Sequence, residues 1–153
     1  MKIKLAILIL TLCSAAIFAD NTKYIEARIH YMIPSLMRVE SNFNDHRVGD
    51  SGKAIGCLQI WKITVRDANR ISGKSFKYED RYDREKSVEI AEIVLLHYGK
   101  HYERTRDKIA TFEVLARIFN GGYATFIKTP KKMDEYWLKV ECNLIERLQN
   151  EAT

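Results

Sequence analysis

IEARIHYMIPSLMRVESNFN, residues 25–44, decides the fold. Ile25, Ile29, Met32, Leu36 and Val39 recur at steps of three and four, the period of one face of an α-helix. The run reaches Glu40, and the chain then turns polar through Ser41-Asn42-Phe43-Asn44. Pro34 lies inside it. Its ring removes a backbone donor, so we expect a kink there or a new helix starting at that residue. A carboxylate at such a helix end is, taken alone, an ordinary solvated charge.

Upstream, MKIKLAILILTLCSAAIFAD has the layout of an export signal. Lys2 and Lys4 form a basic start, Leu5 to Leu12 an apolar stretch, and Ala16-Ile17-Phe18-Ala19 a small-x-small cleavage pattern. The apolar run falls short of the ~20 residues of a membrane span, and the bulky Leu12 before Cys13 disfavours a lipoprotein. We expect a signal peptide over residues 1–19, cleaved after Ala19, and one exported domain over 20–153, periplasmic or extracellular. Cleavage removes Lys2 and Lys4 and no acid, taking the net charge from +5 to +3. That modest excess suits an anionic polymer as partner, and no basic stripe with interleaved aromatics points to nucleic acid. Cys57 and Cys142 remain as a pair, open either to a disulfide or to two separate buried thiols.

With 153 residues, 46% hydrophobic, 29% charged and two prolines, the chain is long enough for one packed core and too short for two. Asn42 to Gly56 is rich in Asn, Asp, Ser and Gly and predicts a loop. A short helix follows near Thr64 to Ser72, closed by Gly73. Asp83 N-caps the next helix, whose apolar positions are Val88, Ala91, Val94, Leu95 and Tyr98. Thr111 caps another, carrying Val114, Leu115 and Ile118 and ending at Asn120-Gly121-Gly122. Thr129-Pro130 opens a terminal helix with Trp137, Val140, Leu144 and Leu148 on one face. Few segments alternate apolar and polar residues, so the fold class is mainly α.

Three segments stand apart from helix filler: Glu40-Ser41-Asn42-Phe43, Gly49 to Ile60 with Gly56-Cys57-Leu58-Gln59 inside it, and Ala116-Arg117-Ile118-Phe119-Asn120-Gly121-Gly122-Tyr123. In this order they resemble the successive signatures of the soluble-type lytic transglycosylases: Glu-Ser with an aromatic, Gly-Leu-Met-Gln, and Ala-x-Tyr-Asn-x-Gly. The likeness extends through Tyr82-Asp83 and Tyr136-Trp137-Leu138-Lys139-Val140, covering Pro34 to Val140. Each motif alone is weak; three in order behind an export signal are strong together. Cys57-Leu58 replaces the usual Leu-Met. Phe119 stands where many members carry tyrosine, so a hydroxyl is missing there.

The resemblance implies a lysozyme-like single domain of about five to seven helices around a substrate cleft. It further implies cleavage of the MurNAc-GlcNAc bond of peptidoglycan strands by one glutamate, first acid and then base, leaving a 1,6-anhydro end. Glu40 takes that role. The negative end of its helix and apolar neighbours such as Phe43 would favour its protonated form. Ser41 would support the hydrogen bonding around it, Gln59 would bind sugar or orient neighbours, and Asn120 would face glutamate and substrate. Tyr136 is the aromatic we expect to stack on a saccharide, whereas Tyr98 and Phe119 read as core.

Asp45 and Asp50 are the nearest second carboxylates, and Asp45 reads as an exposed turn residue. They keep open a hydrolysing, goose-type-like lysozyme. A non-catalytic peptidoglycan-binding or assembly protein is the alternative from another class. His97 and His101 share a helix face without an HExxH pattern, so we expect no metal and no cofactor. A monomer acting in wall turnover, or opening the wall for a secretion or conjugation apparatus, completes the expectation.

Overall fold

The computed structural model describes the backbone of residues 2–151 and the side chains of residues 22–151. The expected leader and its cleavage site therefore lie outside the residues whose side chains are described. Six α-helices account for most of the described residues: α1 (Lys2–Ser41), α2 (Lys62–Ser72), α3 (Arg84–Arg106), α4 (Phe112–Gly121), α5 (Tyr123–Lys128) and α6 (Asp134–Glu151). Among the described residues no helix is long and apolar enough to cross a membrane.

α1 forms the axis of the domain, packing against α3, α4 and α6. Ile25, Ile29, Met32, Ile33, Leu36 and Met37 are buried along it and join Leu58, Val65, Ile90, Leu95, Leu115 and Val140 in one core. The helix runs unbroken through Pro34, so no new helix starts there. The side chains packed around its two flanking turns outweigh the single backbone bond that the proline ring removes. Gly99 in α3 faces Leu115 and Ile25 closely, which lets the helices approach where a larger residue would push them apart.

The expected caps form. Asp83 and Thr111 accept hydrogen bonds from the Lys86 and Val114 amides, and Gly73 and Gly122 close α2 and α4 at positive φ. Thr129-Pro130 opens a short 3-10 turn, Pro130–Met133, and α6 begins only at Asp134; the Thr129 hydroxyl donates back to Thr125. Leu148 is 55% exposed and leaves the buried face that Val140 and Leu144 share. The loop expected from Asn42 to Gly56 contains a small antiparallel hairpin, with β1 (Val48–Gly49) paired to β2 (Ala54–Ile55). Two-residue strands are too short to leave an alternating pattern in the sequence. Of the two readings left open for Cys57 and Cys142, the structure has separate free thiols and no bridge, with Cys57 buried in the core and Cys142, contrary to that reading, exposed on α6.

Candidate active site

Glu40 occupies the last turn of α1. The helix closes by a left-handed step, with the Asn42 amide bonded to Arg38 C=O and the Phe43 amide reaching back to Met37 C=O. Asn42 and Phe43 take φ of 55° and 63°, values costly for a side chain as bulky as Phe43. This turn sends the chain away while Glu40 stays on the wall of a cavity of about 610 Å³. Leu58, Gln59, Ile60, Trp61, Phe119 and Asn120 line that cavity with it. Phe43 is not among its walls. The apolar surroundings expected from Phe43 come instead from the second and third motifs.

Burial in this apolar site pushes the Glu40 carboxyl up to about 7. Three smaller influences act on it. The Tyr136 hydroxyl donates to Glu40 Oε1 at 2.7 Å and favours the carboxylate, Asp50 opposes ionisation, and Arg47 favours it. Tyr136 is itself held well above the usual phenol range by burial and by the glutamate, so it remains a donor. Its ring is not part of the cavity wall. The expected stacking platform is replaced by a hydroxyl set against Glu40 from α6.

Ser41 is buried and ties the motifs together: its Oγ donates to the Cys57 carbonyl at 2.8 Å and accepts the Asn44 amide at 3.0 Å. It too lies off the cavity wall. Gln59 lines the cavity, but its amide nitrogen is committed to the carbonyls of Arg47 (3.1 Å) and Gly56 (2.9 Å). Its contribution is to hold the hairpin, and its own φ of 47° shows the constraint. Gly56 has φ +83°, and a Cβ there would overlap the Arg81 carbonyl oxygen, so only glycine fits. Asn120 ends α4 on the same wall, beside Phe119.

Of the two spare aspartates, Asp45 is held below the usual carboxylate range by a two-pronged bond from Arg84, 2.9 Å at each oxygen, and fastens the loop to the start of α3. Asp50 is different. It lines the cavity with Glu40, accepts from Trp61 Nε1 at 3.2 Å, and sits with Ser51 in left-handed backbone between Gly49 and Gly52. Cys57 has its thiol pushed up to about 11 by burial and nearby Asp45, which makes it inert as a nucleophile.

Sequence reasoning missed several residues. Arg81, 2% exposed, forms no ion pair among the described residues and donates to the carbonyls of Tyr78, Lys53 and Ile60. No sequence pattern marks a side chain that binds only backbone. Tyr98 was expected in the core, yet it lines the cavity with Asp67 and Tyr123. Its hydroxyl donates to Asp67 at 2.8 Å and its ring stacks on Tyr123, 5.6 Å between centroids. Tyr123 closes the third segment but carried no assigned role, and Trp61 directly follows the second, a position that could have raised it. His97 and His101 pack edge-on against Tyr98 and Tyr123.

No curated protein and no solved structure matches the chain significantly. The transglycosylase SLT domain family matches residues 15–129, a span that includes Glu40, Gln59 and Asn120 and stops before Tyr136. With its three motif segments gathered on one cavity of a helical domain, the chain belongs to the SLT family of lytic transglycosylases, in the lysozyme-like superfamily.

Proposed function

We propose that the protein cleaves the β-1,4 bond between MurNAc and GlcNAc in peptidoglycan strands and leaves 1,6-anhydroMurNAc ends, with Glu40 as the only proton-transferring group. The observation that carries this is the Glu40 carboxyl held at about 7 within the cavity. A group that must give a proton and then take one works best when both forms are close in energy at ambient pH. In the first step Glu40 donates to the glycosidic oxygen as the bond to C1 breaks. The resulting carboxylate then takes the proton of the muramic acid's 6-hydroxyl while that oxygen closes on C1, and Glu40 ends as it began. Tyr136 keeps the carboxyl oriented through both steps.

Replacing Glu40 by Gln tests the assignment. The variant is expected to fold and to lose clearing of peptidoglycan by about 10³-fold. Equal clearing by both proteins would remove Glu40 from the chemistry, and no clearing by either would favour a non-catalytic binding role.

Asp50 on the same wall supports a second possibility, hydrolysis with Asp50 directing a water. Mass spectrometry of the released muropeptides separates the two. Anhydro ends unaffected in kind by Asp50→Asn support the transglycosylase; reducing ends that vanish in that variant support the hydrolase. The setting proposed for either reaction is outside the cytoplasmic membrane, after removal of residues 1–19.

A further inference from the structure

The outer face of α6 has no part in the site. Val140 and Leu144 turn inward to the core, and Tyr136 and Trp137 pack against it. On the opposite side Leu138, Cys142, Ile145 and Gln149 follow steps of four, three and four, the spacing of a seam between two helices. Leu138 is 55% and Ile145 49% exposed, Leu148 on the flank is 55% exposed, and the Cys142 thiol is open to solvent. An apolar stripe of this length on a surface helix marks an interaction face.

The charges beside the stripe say what covers it. Lys139 and Glu146 flank one side of the seam, and among the described residues neither is ion-paired. They stand three residues before and four after Cys142, while Leu138 and Ile145 stand four before and three after. A second α6 running antiparallel, related by a twofold axis beside Cys142, therefore sets Lys139 of each copy against Glu146 of the other. The same operation sets Leu138 against Ile145 twice and brings the two Cys142 thiols together.

We propose that this face pairs two copies of the chain, α6 to α6, and that Cys142 can lock the pair as an intermolecular disulfide. A single helix-helix contact falls below the ~1,200 Å² of a stable interface, so the unlocked pair is weak and reversible. Locking proceeds by exchange with an external disulfide. One Cys142 thiolate attacks it and releases half as a thiolate; the second Cys142 thiolate then attacks the mixed disulfide and releases the other half, so the external disulfide leaves fully reduced. The lock needs the oxidising compartment proposed above; the non-covalent pairing does not. Cys57, buried and with its thiol pushed up, takes no part.

The test uses the protein purified after export, followed by sedimentation and by non-reducing gels with oxidised glutathione. The wild type is expected to associate with rising concentration and to run at twice its mass once oxidised. Cys142→Ser keeps the association and loses the heavy band, and Ile145→Lys loses both. Lys139→Glu alone is expected to weaken association about tenfold, and adding Glu146→Lys to restore it, a rescue that needs no core substitution. A wild type that stays monomeric at every concentration, with and without oxidant, overturns the proposal. So does a heavy band undiminished in Ile145→Lys, which would report random thiol collision, or a charge swap that fails to restore pairing.

Discussion

The Tyr136 hydroxyl donates to Glu40 Oε1 at 2.7 Å across 96 residues of sequence, joining the last helix to the end of the first. Two groups that both resist ionisation, each because it is buried, meet at this bond. Since the bond favours the carboxylate, removing it raises the Glu40 carboxyl further. Tyr136→Phe is thus expected to move the alkaline limb of the kcat/KM profile up by about one pH unit. A limb left in place would mean that the bond is absent in the working enzyme.

Glu40 also links stability to pH. Its folded value of about 7 lies above its ordinary 4.5, so the folded state holds the proton more tightly than the unfolded state. Stability is therefore full below about 4.5 and falls as pH rises to about 7, by up to about 3 kcal/mol. Urea unfolding of wild type and Glu40→Gln at pH 5 and pH 8 checks this. The wild type should lose more between the two pH values than the variant, which carries no charge to bury.

Gly49 is predicted to be a conditional glycine. Its φ of −122° suits any residue, but a Cβ there would overlap Gln59 Oε1. Gly49→Ala should therefore displace the Gln59 amide and reproduce Gln59→Ala, each costing about 1 kcal/mol as the Arg47 and Gly56 carbonyls lose a side-chain donor and keep the backbone amides of Gly56 and Gln59. If the double variant loses no more than either single one, the two act through the same bonds; additive losses would reject the link.

Arg81→Met is expected to cost more, about 3 kcal/mol, because it takes the side-chain donor from the carbonyls of Tyr78, Lys53 and Ile60 together, of which Ile60 keeps the Ile55 amide. The loss of thermal stability should be accompanied by fast amide exchange in the hairpin and not in α4. Uniform exchange would show that Arg81 supports the whole domain and not the hairpin.

How much the sequence revealed follows from the range of the forces involved. The caps at Asp83 and Thr111 and the stop at Gly73 are local, so their residues announce them. Glu40, Gln59 and Asn120 came together as the motif order implied, because the turns that aim them are encoded beside them. The hidden parts are bonds between distant segments. Ser41 grips the Cys57 carbonyl and Arg81 grips three others, and a backbone acceptor carries no residue signature. Tyr136 could be picked out as a residue of interest, but whether its ring or its hydroxyl mattered depended on how α6 docks on α1. Cys142 was misjudged for a similar reason, since helical phase around Val140 decides that it faces outward.

The hairpin beside Glu40 is fastened by its carbonyls, those of Arg47, Lys53, Gly56 and Ile60, together with the buried Ala54 and Ile55 and the Asp50–Trp61 bond, while the side chains of Val48, Ser51 and Lys53 face water. A segment held by what every amino acid possesses can exchange its outward residues at little risk to its shape. The rim of the site is thus free to drift under selection for different wall chemistries while the floor stays fixed, with glycine demanded at Gly56 by the Arg81 backbone and at Gly49 by the Gln59 side chain.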